Sequence, residues 1–476
     1  MLPTRALKYA QQHRPRFLAE LKEFIRFPTI SVEPQRSGDL KKCARWLAHH
    51  LRGIGFERTE IIPTRRHPIV YGSWTRASGR PTVLLYGHYD VVPVDPLHKW
   101  RLPPFNPTVR GTNLFGRGAS DDKGQLFTHL KAIEAYLKTE HRLPINLKCI
   151  FEGEEEIQSP NLSRFLTRNK SALRADFAVM SDTQFRSTGH PAINYAERGL
   201  LTLEVELFGP GQDLHSGTFG GAVRNPLEAL CALIAKLHDP SGRVAIPGFY
   251  RNVRQWSDME RAFMARTGPP DAEVLATGGV RYGWGEPGYS LYERTTVRPA
   301  LSVNGIVGGY TGPGVKSVLP ARAAAKLSFR LVPDQTPEEI DQLFRQYLTR
   351  SISPHLRWGV RTLSAARPVV IDRAHPAMHA AALAYRKAFG ATPVFLRSGG
   401  TIPAVYLFQR ILDIPTVLMG FGLPSDRIHS YNENFSLQNL FDGIATSIWF
   451  LALAAERLKS GTGVSWDTIE NASAFA

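Results

Sequence analysis

The sequence predicts an α/β protein with a mostly parallel central sheet, into which a smaller α+β domain is inserted. Three observations lead to this prediction. The chain has 476 residues, more than one hydrophobic core usually supports. Both ends of the chain alternate strand-like and helix-like segments, which is typical of a parallel sheet. The middle of the chain instead follows the order β-α-β-β-α-β, which indicates a ferredoxin-like sandwich.

The N-terminal part supplies the first elements of the α/β domain. An amphipathic helix carries apolar residues at helical spacing, namely Phe17, Leu21, Phe24 and Ile25. A buried strand is predicted over residues 82–86, a helix over 125–137 and a second strand over 147–151. From residue 368 the alternation resumes, with helices over 375–389 and 436–458 and strands over 393–396 and 416–419. The predicted α/β domain is therefore discontinuous, comprising residues 1–194 and 368–476.

The inserted domain is predicted over residues 195–367. Its strands are expected at 201–207, 301–307, 323–331 and 356–363, where apolar residues alternate or cluster. One helix begins after Asn225, with Pro226 at its first position, and another begins after Thr336. Residues 240–295 are rich in Gly, Pro and Arg and are predicted to be an irregular excursion.

Composition favours a folded protein of a reducing compartment. Hydrophobic residues make up 43% of the chain and charged residues 21%. The net charge of +16 is spread over scattered Lys and Arg residues, so we predict neither a nucleic-acid partner nor a membrane partner. The three cysteines are far apart, and the N-terminus lacks the apolar core of a secretory signal. The longest apolar stretch, 444–455, is too short to span a bilayer, and a cytoplasmic location is predicted.

Polar side chains follow several predicted strands, at the edge where α/β sheets bind ligands. They are His88 and Asp90, Asp121 and Asp122 in a glycine-bounded turn, the acidic run 152–156, Asp182 and His429. Each cluster alone has an ordinary interpretation, as a surface pair, a helix cap or a solvated acidic turn. Together they offer nitrogen and oxygen ligands for two divalent ions, with a spare glutamate as a general base.

Long motifs resemble those of a known enzyme family. They include YGHYDVVPVDP, GRGASDDKG, FEGEEE, GQDLHSGTFGG, SGGTIP and GLPSDRIHSYNE, and the similarity covers nearly the whole chain. The sequence is similar to the zinc-dependent exopeptidases and deacylases that include carnosinase, cytosolic dipeptidases, aminoacylase and carboxypeptidase G. The carnosinase and dipeptidase branch is the most similar. The resemblance implies a zinc-exopeptidase-like catalytic domain and a lid domain through which the chain forms a homodimer.

The resemblance also implies a role for each site residue. His88 and Asp182 would bind one ion, Glu156 and His429 the other, and Asp121 both. Asp90 would orient His88, Glu155 would be the general base, and His215 of the insert would stabilise the oxyanion. Substrate would contact Arg330, Asn304, Gly400 and Thr401, with Arg330 holding a free carboxylate. The resemblance implies a cis peptide bond between Asp121 and Asp122.

The implied function is hydrolysis of an amide bond in dipeptides or N-acyl amino acids by a hydroxide that bridges two metal ions. The ions are expected to be zinc, with manganese and cobalt as alternatives. The acidic run leaves a second register open, in which Glu154 is the base and Glu155 the ligand. Val92 and Tyr431 depart from the residues common in the dipeptidase branch. A dedicated N-acyl or N-carbamoyl deacylase is the alternative, because the residues that would recognise the acyl side of the substrate are less diagnostic than Arg330. A non-catalytic binding protein is a remote alternative.

Overall fold

The computed structural model describes residues 2–460, which form two compact units. The first unit comprises the residues up to Tyr195, Ile371–Leu396 and the residues from Ile402 onward. The second comprises Ala196–Val370 and Arg397–Thr401. The predicted boundaries of the inserted domain lie between residues 194 and 195 and between residues 367 and 368. The prediction also assigns residues 397–401 to the catalytic domain. The structure differs at that short segment, because its backbone and side chains bond to Arg198 and Arg330 of the second unit.

The first unit contains most of the helices and the large sheet. Its helices are α1 (Thr4–Gln12), α2 (Arg14–Ile25), α3 (Ser37–Ile54), α4 (Lys123–Glu140), α5 (Leu162–Arg168), α12 (Pro376–Phe389), α13 (Pro403–Leu407) and α14 (Leu437–Ser460). Its strands are β1 (Arg58–Ile62), β2 (Ile69–Trp74), β3 (Thr82–His88), β4 (Thr108–Arg110), β5 (Asn113–Phe115), β6 (Asn146–Glu152), β7 (Phe177–Met180), β8 (Ala192–Glu197), β16 (Val394–Ser398), β17 (Thr416–Leu418) and β18 (Asn434–Ser436).

The large sheet has the strand order β1-β2-β6-β3-β7-β17-β8, and β16 pairs with β8. The four central strands β6, β3, β7 and β17 are parallel, and antiparallel strands flank them. Parallel strands are buried on both faces, which explains why β3 and β7 are almost continuously apolar. Their carboxyl ends lie at one edge of the sheet, where ligand sites form in α/β folds.

Two helices dominate the core of the first unit. Every residue of α4 from Lys123 to Leu137 is buried. Within residues 2–460, the segment Leu437–Leu458 of α14 has the length and composition of a membrane span. It packs against α4 and α12, however, and more than half of its apolar stretch is buried. This agrees with the core helix predicted over 444–455.

The second unit is built on a four-stranded antiparallel sheet. The strands of this sheet are β9 (Gly199–Phe208), β11 (Ala300–Gly308), β13 (Arg322–Leu331) and β14 (Arg357–Ala366). The unit also contains the short strands β10 (Leu214–His215), β12 (Val318–Leu319) and β15 (Val369–Val370). Its helices are α6 (Ser216–Phe219), α7 (Pro226–Ala235), α8 (Asp258–Thr267), α9 (Asp271–Gly278), α10 (Leu291–Thr296) and α11 (Pro337–Ser351). The sheet order β11-β13-β9-β14 is that of a ferredoxin-like sandwich, with α7 and α11 packed on the apolar face.

The prediction of an irregular excursion over 240–295 is wrong, because this segment contains α8, α9 and α10. Local capping accounts for two of them. The Ser257 side chain accepts a hydrogen bond from the backbone of Glu260 at the start of α8. Ser290 and Glu293 form a complete capping box at the start of α10. These signals have the spacing of capping boxes and stabilise short helices despite the surrounding Gly and Pro.

Candidate metal centre and active site

The predicted polar clusters of the first unit converge at the carboxyl ends of the parallel strands. His88 is the last residue of β3, and Asp182 follows β7. Glu155 and Glu156 follow β6 in a 3-10 turn, and Asp121 lies in the turn before α4. His429 lies in the loop between β17 and β18, in a left-handed backbone conformation with φ of 58°. The Asp121–Asp122 peptide bond is cis, as the resemblance implied.

Two groups of ligand atoms form within this cluster. His88, Asp121 and Asp182 make the first, and Asp121, Glu156 and His429 the second; the ligand atoms of each group lie within 4.8 Å of one another. In the first group, His88 Nε2 lies 3.1 Å from Asp121 Oδ1 and 3.7 Å from Asp182 Oδ2. In the second, His429 Nε2 lies 2.9 Å from Asp121 Oδ2 and 3.1 Å from Glu156 Oε2. Asp121 thus offers one oxygen to each group.

The acidic run divides its side chains between different surroundings. The Glu154 carboxylate accepts hydrogen bonds from the His67 backbone (2.7 Å), Thr64 Oγ1 (2.9 Å) and Asn161 Nδ2 (2.7 Å). Glu156 instead reaches His429. The structure therefore does not bring Glu154 into either ligand group.

Asp90 joins two of the converging segments. Its carboxylate accepts hydrogen bonds from the backbone nitrogens of Glu155 (3.2 Å) and Glu156 (3.1 Å). His88 Nδ1 lies 3.1 Å from the Asp90 carbonyl oxygen and 3.4 Å from its carboxylate. Asp90 thus fixes the backbone of the acidic run as well as the His88 ring.

The concentration of carboxylates perturbs the titratable groups of the two ligand groups and of Glu155. Burial, together with the Asp182 and Glu156 carboxylates, raises the pKa of Glu155 well above its ordinary value. Burial and Asp121 raise the pKa of Glu156 to about 7. Hydrogen bonds to Asp121 and Glu156 raise the pKa of His429 to about 11. The cluster therefore carries an excess of negative charge, which favours the protonated form of its imidazoles and carboxyl groups.

The residues present fit divalent metal ions. Among the described residues, the buried His88 Nε2 has no hydrogen-bond partner although it points at two carboxylates. The ligand atoms are imidazole nitrogens and carboxylate oxygens without thiolates, a set that zinc, manganese and cobalt accept. Bound cations would compete with the protons on His88 and His429 and relieve the repulsion among the carboxylates.

A third group of possible ligands, Glu20, His50 and Glu134, has a different role. The Lys131 ammonium donates to His50 Nε2 (2.8 Å) and Glu134 Oε2 (2.7 Å), and it also pairs with Glu20. A protein cation already occupies the centre of this group. We therefore interpret it as a buried ion-pair network that ties α2 and α3 to α4.

The remaining predicted site residues lie in the second unit. His215 pairs with Val318, and its Nδ1 accepts a hydrogen bond from the Gly217 backbone (3.1 Å). Arg330, on β13, donates to Thr401 Oγ1 (3.1 Å), and burial lowers its pKa. Asn304 contacts Ser328, and Gly400 N donates to Ser398 Oγ (3.0 Å). The structure thus brings Arg330 and Thr401 into contact. Gly400 directly precedes Thr401 in the chain.

Comparison with known proteins identifies the family. A model of peptidase family M20/M25/M40 matches residues 84–451, which include both ligand groups. The chain belongs to this family. The predicted family, fold class and metal-dependent hydrolase activity are thereby confirmed.

The M20 chain is similar over more than 90% of its length to proteins named as dipeptidases and to one named as a carboxypeptidase. It is 30% identical over 455 residues to the Cys-Gly metallodipeptidase DUG1 of Candida albicans, covering 92% of this chain and 94% of the relative. It is 30% identical over 472 residues to the Beta-Ala-His dipeptidase of Mus musculus, covering 96% and 95%. Human carnosine dipeptidase 1 superposes with a TM-score of 0.84 at 29% identity, covering 96% of this chain and 99% of that one. The M20 metallo-carboxypeptidase Sso-CP2 of Sulfolobus solfataricus superposes with a TM-score of 0.84 at 32% identity, covering 92% and 99%.

Two charged residues of this M20 site were not predicted from the sequence. Arg117 and Glu433 are both buried and form an ion pair at 2.7 Å. Each lies within a motif quoted for the family, GRGASDDKG and HSYNE. Their charge alone gave no signal in the sequence, because the partner that makes burial possible lies 316 positions away.

Proposed function

We propose that this M20 enzyme hydrolyses dipeptides that carry a free carboxylate, using two zinc ions. The observation that carries the proposal is the shared position of Asp121, with one oxygen in each ligand group. His88 and Asp182 would hold one ion, Glu156 and His429 the other, and Asp121 both. When bound, such a pair of ions supplies Lewis acidity and lowers the pKa of water toward neutrality.

Glu155 is proposed as the general base. Its carboxyl group lies among the carboxylates of the cluster but is not a member of either ligand group. A raised pKa suits a group that takes a proton from water and then gives it to the leaving amine near neutral pH. The backbone hydrogen bond from Glu155 to Asp90 holds this residue at the end of β6.

His215 is proposed to stabilise the oxyanion. Because the Gly217 N–H donates to its Nδ1, the neutral ring carries its proton on Nε2. That nitrogen then serves as a hydrogen-bond donor to developing negative charge.

Arg330 is proposed to bind the substrate carboxylate, with Thr401, Gly400 and Asn304 nearby in the same unit. A guanidinium offers two parallel donors, which match a carboxylate. Thr401 accepts from Arg330 Nη1 and so orients the guanidinium. The relatives named for Cys-Gly and Beta-Ala-His act on dipeptides, which supports this substrate class.

We also propose a cytoplasmic homodimer. The described cysteines are all free thiols, which suits a reducing compartment. The edge strand β11 exposes apolar side chains, with Val307 74% and Ile306 47% exposed. Exposed apolar edge strands are liabilities unless another chain covers them, and a second copy through this unit would do so. Sedimentation equilibrium measures the oligomeric state directly, and a dimer is the expected result.

The decisive experiment is metal analysis followed by hydrolysis of a substrate panel. The panel contains Cys-Gly, β-Ala-His and N-acetyl amino acids, assayed with chelator and after restoring two equivalents of zinc, manganese or cobalt. We expect metal-dependent cleavage of dipeptides. Cleavage of the N-acyl compounds alone would favour the deacylase alternative. Salt-sensitive nucleic-acid binding with no turnover of any compound would favour a binding protein and refute the proposal.

A further inference from the structure

The Glu433 carboxylate bonds to the turn that carries Asp121. The side chain is fully buried, and both of its oxygens are used. Oε1 accepts from the backbone nitrogens of Ser120 (3.0 Å) and Asp121 (3.1 Å). Oε2 accepts from Gly118 N (3.0 Å) and from Arg117 Nη1 (2.7 Å). One carboxylate thus sets the backbone position of Asp121.

Arg117 makes the reciprocal connection to the segment that carries His429. Its side chain is 1% exposed. While Nη1 donates to Glu433, Nη2 donates to the carbonyl oxygens of Ser430 (3.0 Å) and Pro93 (3.2 Å). Ser430 directly follows His429 in the chain. The guanidinium therefore holds the backbone next to His429.

The segments that this ion pair connects are tightly turned. Arg427, His429 and Asn432 all have positive φ, between 58° and 62°. Gly118 has φ of 86°, and a Cβ there would lie 2.9 Å from Val91 Cγ1. Non-glycine residues adopt left-handed conformations only where surrounding contacts determine them. Arg117 bonds to Ser430, directly after His429, and Glu433 bonds to Gly118, so the ion pair supplies contacts within both turned segments.

We propose that Arg117 and Glu433 are a positioning pair that fixes Asp121 relative to His429 and so sets the affinity for the second metal ion. This inference rests on the proposed function, because it takes Asp121, Glu156 and His429 as the ligands of that ion. Neither residue belongs to a ligand group. They act through the backbone of the ligand segments, whose key atoms, Asp121 Oδ2 and His429 Nε2, lie 2.9 Å apart.

Two conservative substitutions break the pair in different ways. Glu433→Gln keeps the shape but replaces one oxygen with an NH2 group, which faces N–H donors on either side. Arg117→Lys keeps the charge but loses the fork that reaches Glu433 and Ser430 together. Glu134→Gln is the matched control, since Glu134 is also buried, at 2% exposure, and paired with Lys131 at 2.7 Å.

The experiment measures zinc stoichiometry and stepwise affinity of the metal-free full chain by chelator competition, with circular dichroism as a check of folding. Wild type is expected to bind two equivalents. In Glu433→Gln and Arg117→Lys, we expect one of the two binding steps, that of the second ion, to lose about 10- to 100-fold in affinity, as for other groups that support metal ligands. The other step should change less, and Glu134→Gln should leave both steps within about threefold of wild type, as expected for a distant, independent site.

Different results separate the two proposals. Wild type that binds no zinc refutes the proposed function itself. Wild type that binds two equivalents, with unchanged affinities in both pair variants, overturns the positioning role alone. If only one variant folds, that variant decides. Failure of both to fold while Glu134→Gln folds also overturns it, because the pair would then serve stability in general.

Discussion

Replacing Glu155 and Glu154 separately with glutamine tests which glutamate of the acidic run does the chemistry. Glu155→Gln removes a proton acceptor without changing the size of the side chain. General base catalysis contributes about 10²- to 10⁴-fold, so kcat should fall by that factor, equivalent to about 3 to 5 kcal/mol in activation free energy. Metal content should stay at the wild-type value, because Glu155 belongs to neither ligand group.

Glu154→Gln should show the opposite pattern. The Glu154 carboxylate accepts hydrogen bonds from the His67 backbone, Thr64 and Asn161, and an NH2 group in its place would face some of these donors. Leaving buried donors unsatisfied costs roughly 1 to 3 kcal/mol in the free energy of unfolding. Because this side chain does not enter the metal cluster, kcat should stay within about threefold of wild type, as for residues away from the reacting atoms.

The assay combines steady-state kinetics on a cleaved dipeptide, metal analysis and urea unfolding for both variants. Activity that survives in Glu155→Gln but is lost in folded, metal-loaded Glu154→Gln would refute the reasoning. It would show that the second register of the acidic run, with Glu154 as base, is the true one.

Two further predictions concern substrate binding and pH. Arg330→Lys keeps the positive charge but loses the two-pronged guanidinium, so KM should rise about 10-fold or more with kcat little changed. The control is Arg322→Lys, because Arg322 is an exposed residue of the same strand that pairs with Glu206. An equal rise in KM in the control would contradict the assignment. Burial lowers the pKa of His129 to about 3, so the folded state resists protonation that the unfolded chain undergoes near pH 6.5. The contribution of His129 to stability is therefore fully present above pH 6.5 and is lost as the pH falls towards 3, by about 2 kcal/mol at pH 5. The loss measured by urea unfolding between pH 7.5 and 5 should be about 2 kcal/mol smaller in His129→Gln than in wild type, because only the His129 contribution is removed. Burial also lowers the pKa of His50 to about 3, and His50 is present in both proteins. Equal losses in the two proteins would refute the prediction.

Much of the fold was predictable because its signals are local. The strands 82–86 and 147–151 lie within β3 and β6, since continuous apolar runs are what a buried parallel strand requires. The helices of 240–295 were missed because their signals are single capping residues such as Ser257 and Ser290, which a Gly- and Pro-rich composition masks. The transfer of residues 397–401 to the second unit depends on contacts with Arg198, about 200 positions earlier in the chain. No local pattern reports such a contact.

The candidate metal ligands were predictable because their signals are also local. The residues that hold the ligand segments in position were not predictable. When several imidazole and carboxylate groups directly follow apolar strands, they indicate a ligand site, because the ends of parallel strands meet at one edge of the sheet. Arg117 and Glu433, by contrast, are separated by 316 positions, and their pairing exists only in the folded chain. A buried charge without its partner is indistinguishable in sequence from an exposed one.

The acidic run shows why composition alone cannot assign these roles. Glu152 hydrogen-bonds to Tyr86 and Ser159, and burial raises its pKa to about 7. Glu154 turns away to bond with His67, while Glu156 reaches the ligand cluster. The chain direction changes at the 3-10 turn Glu155–Ile157, so successive side chains point to different surroundings rather than alternating as in a strand. Glutamates of one short run thus have different surroundings because of a single turn of the backbone. The Asp90 carboxylate holds this turn, although from the sequence Asp90 was predicted only to orient His88.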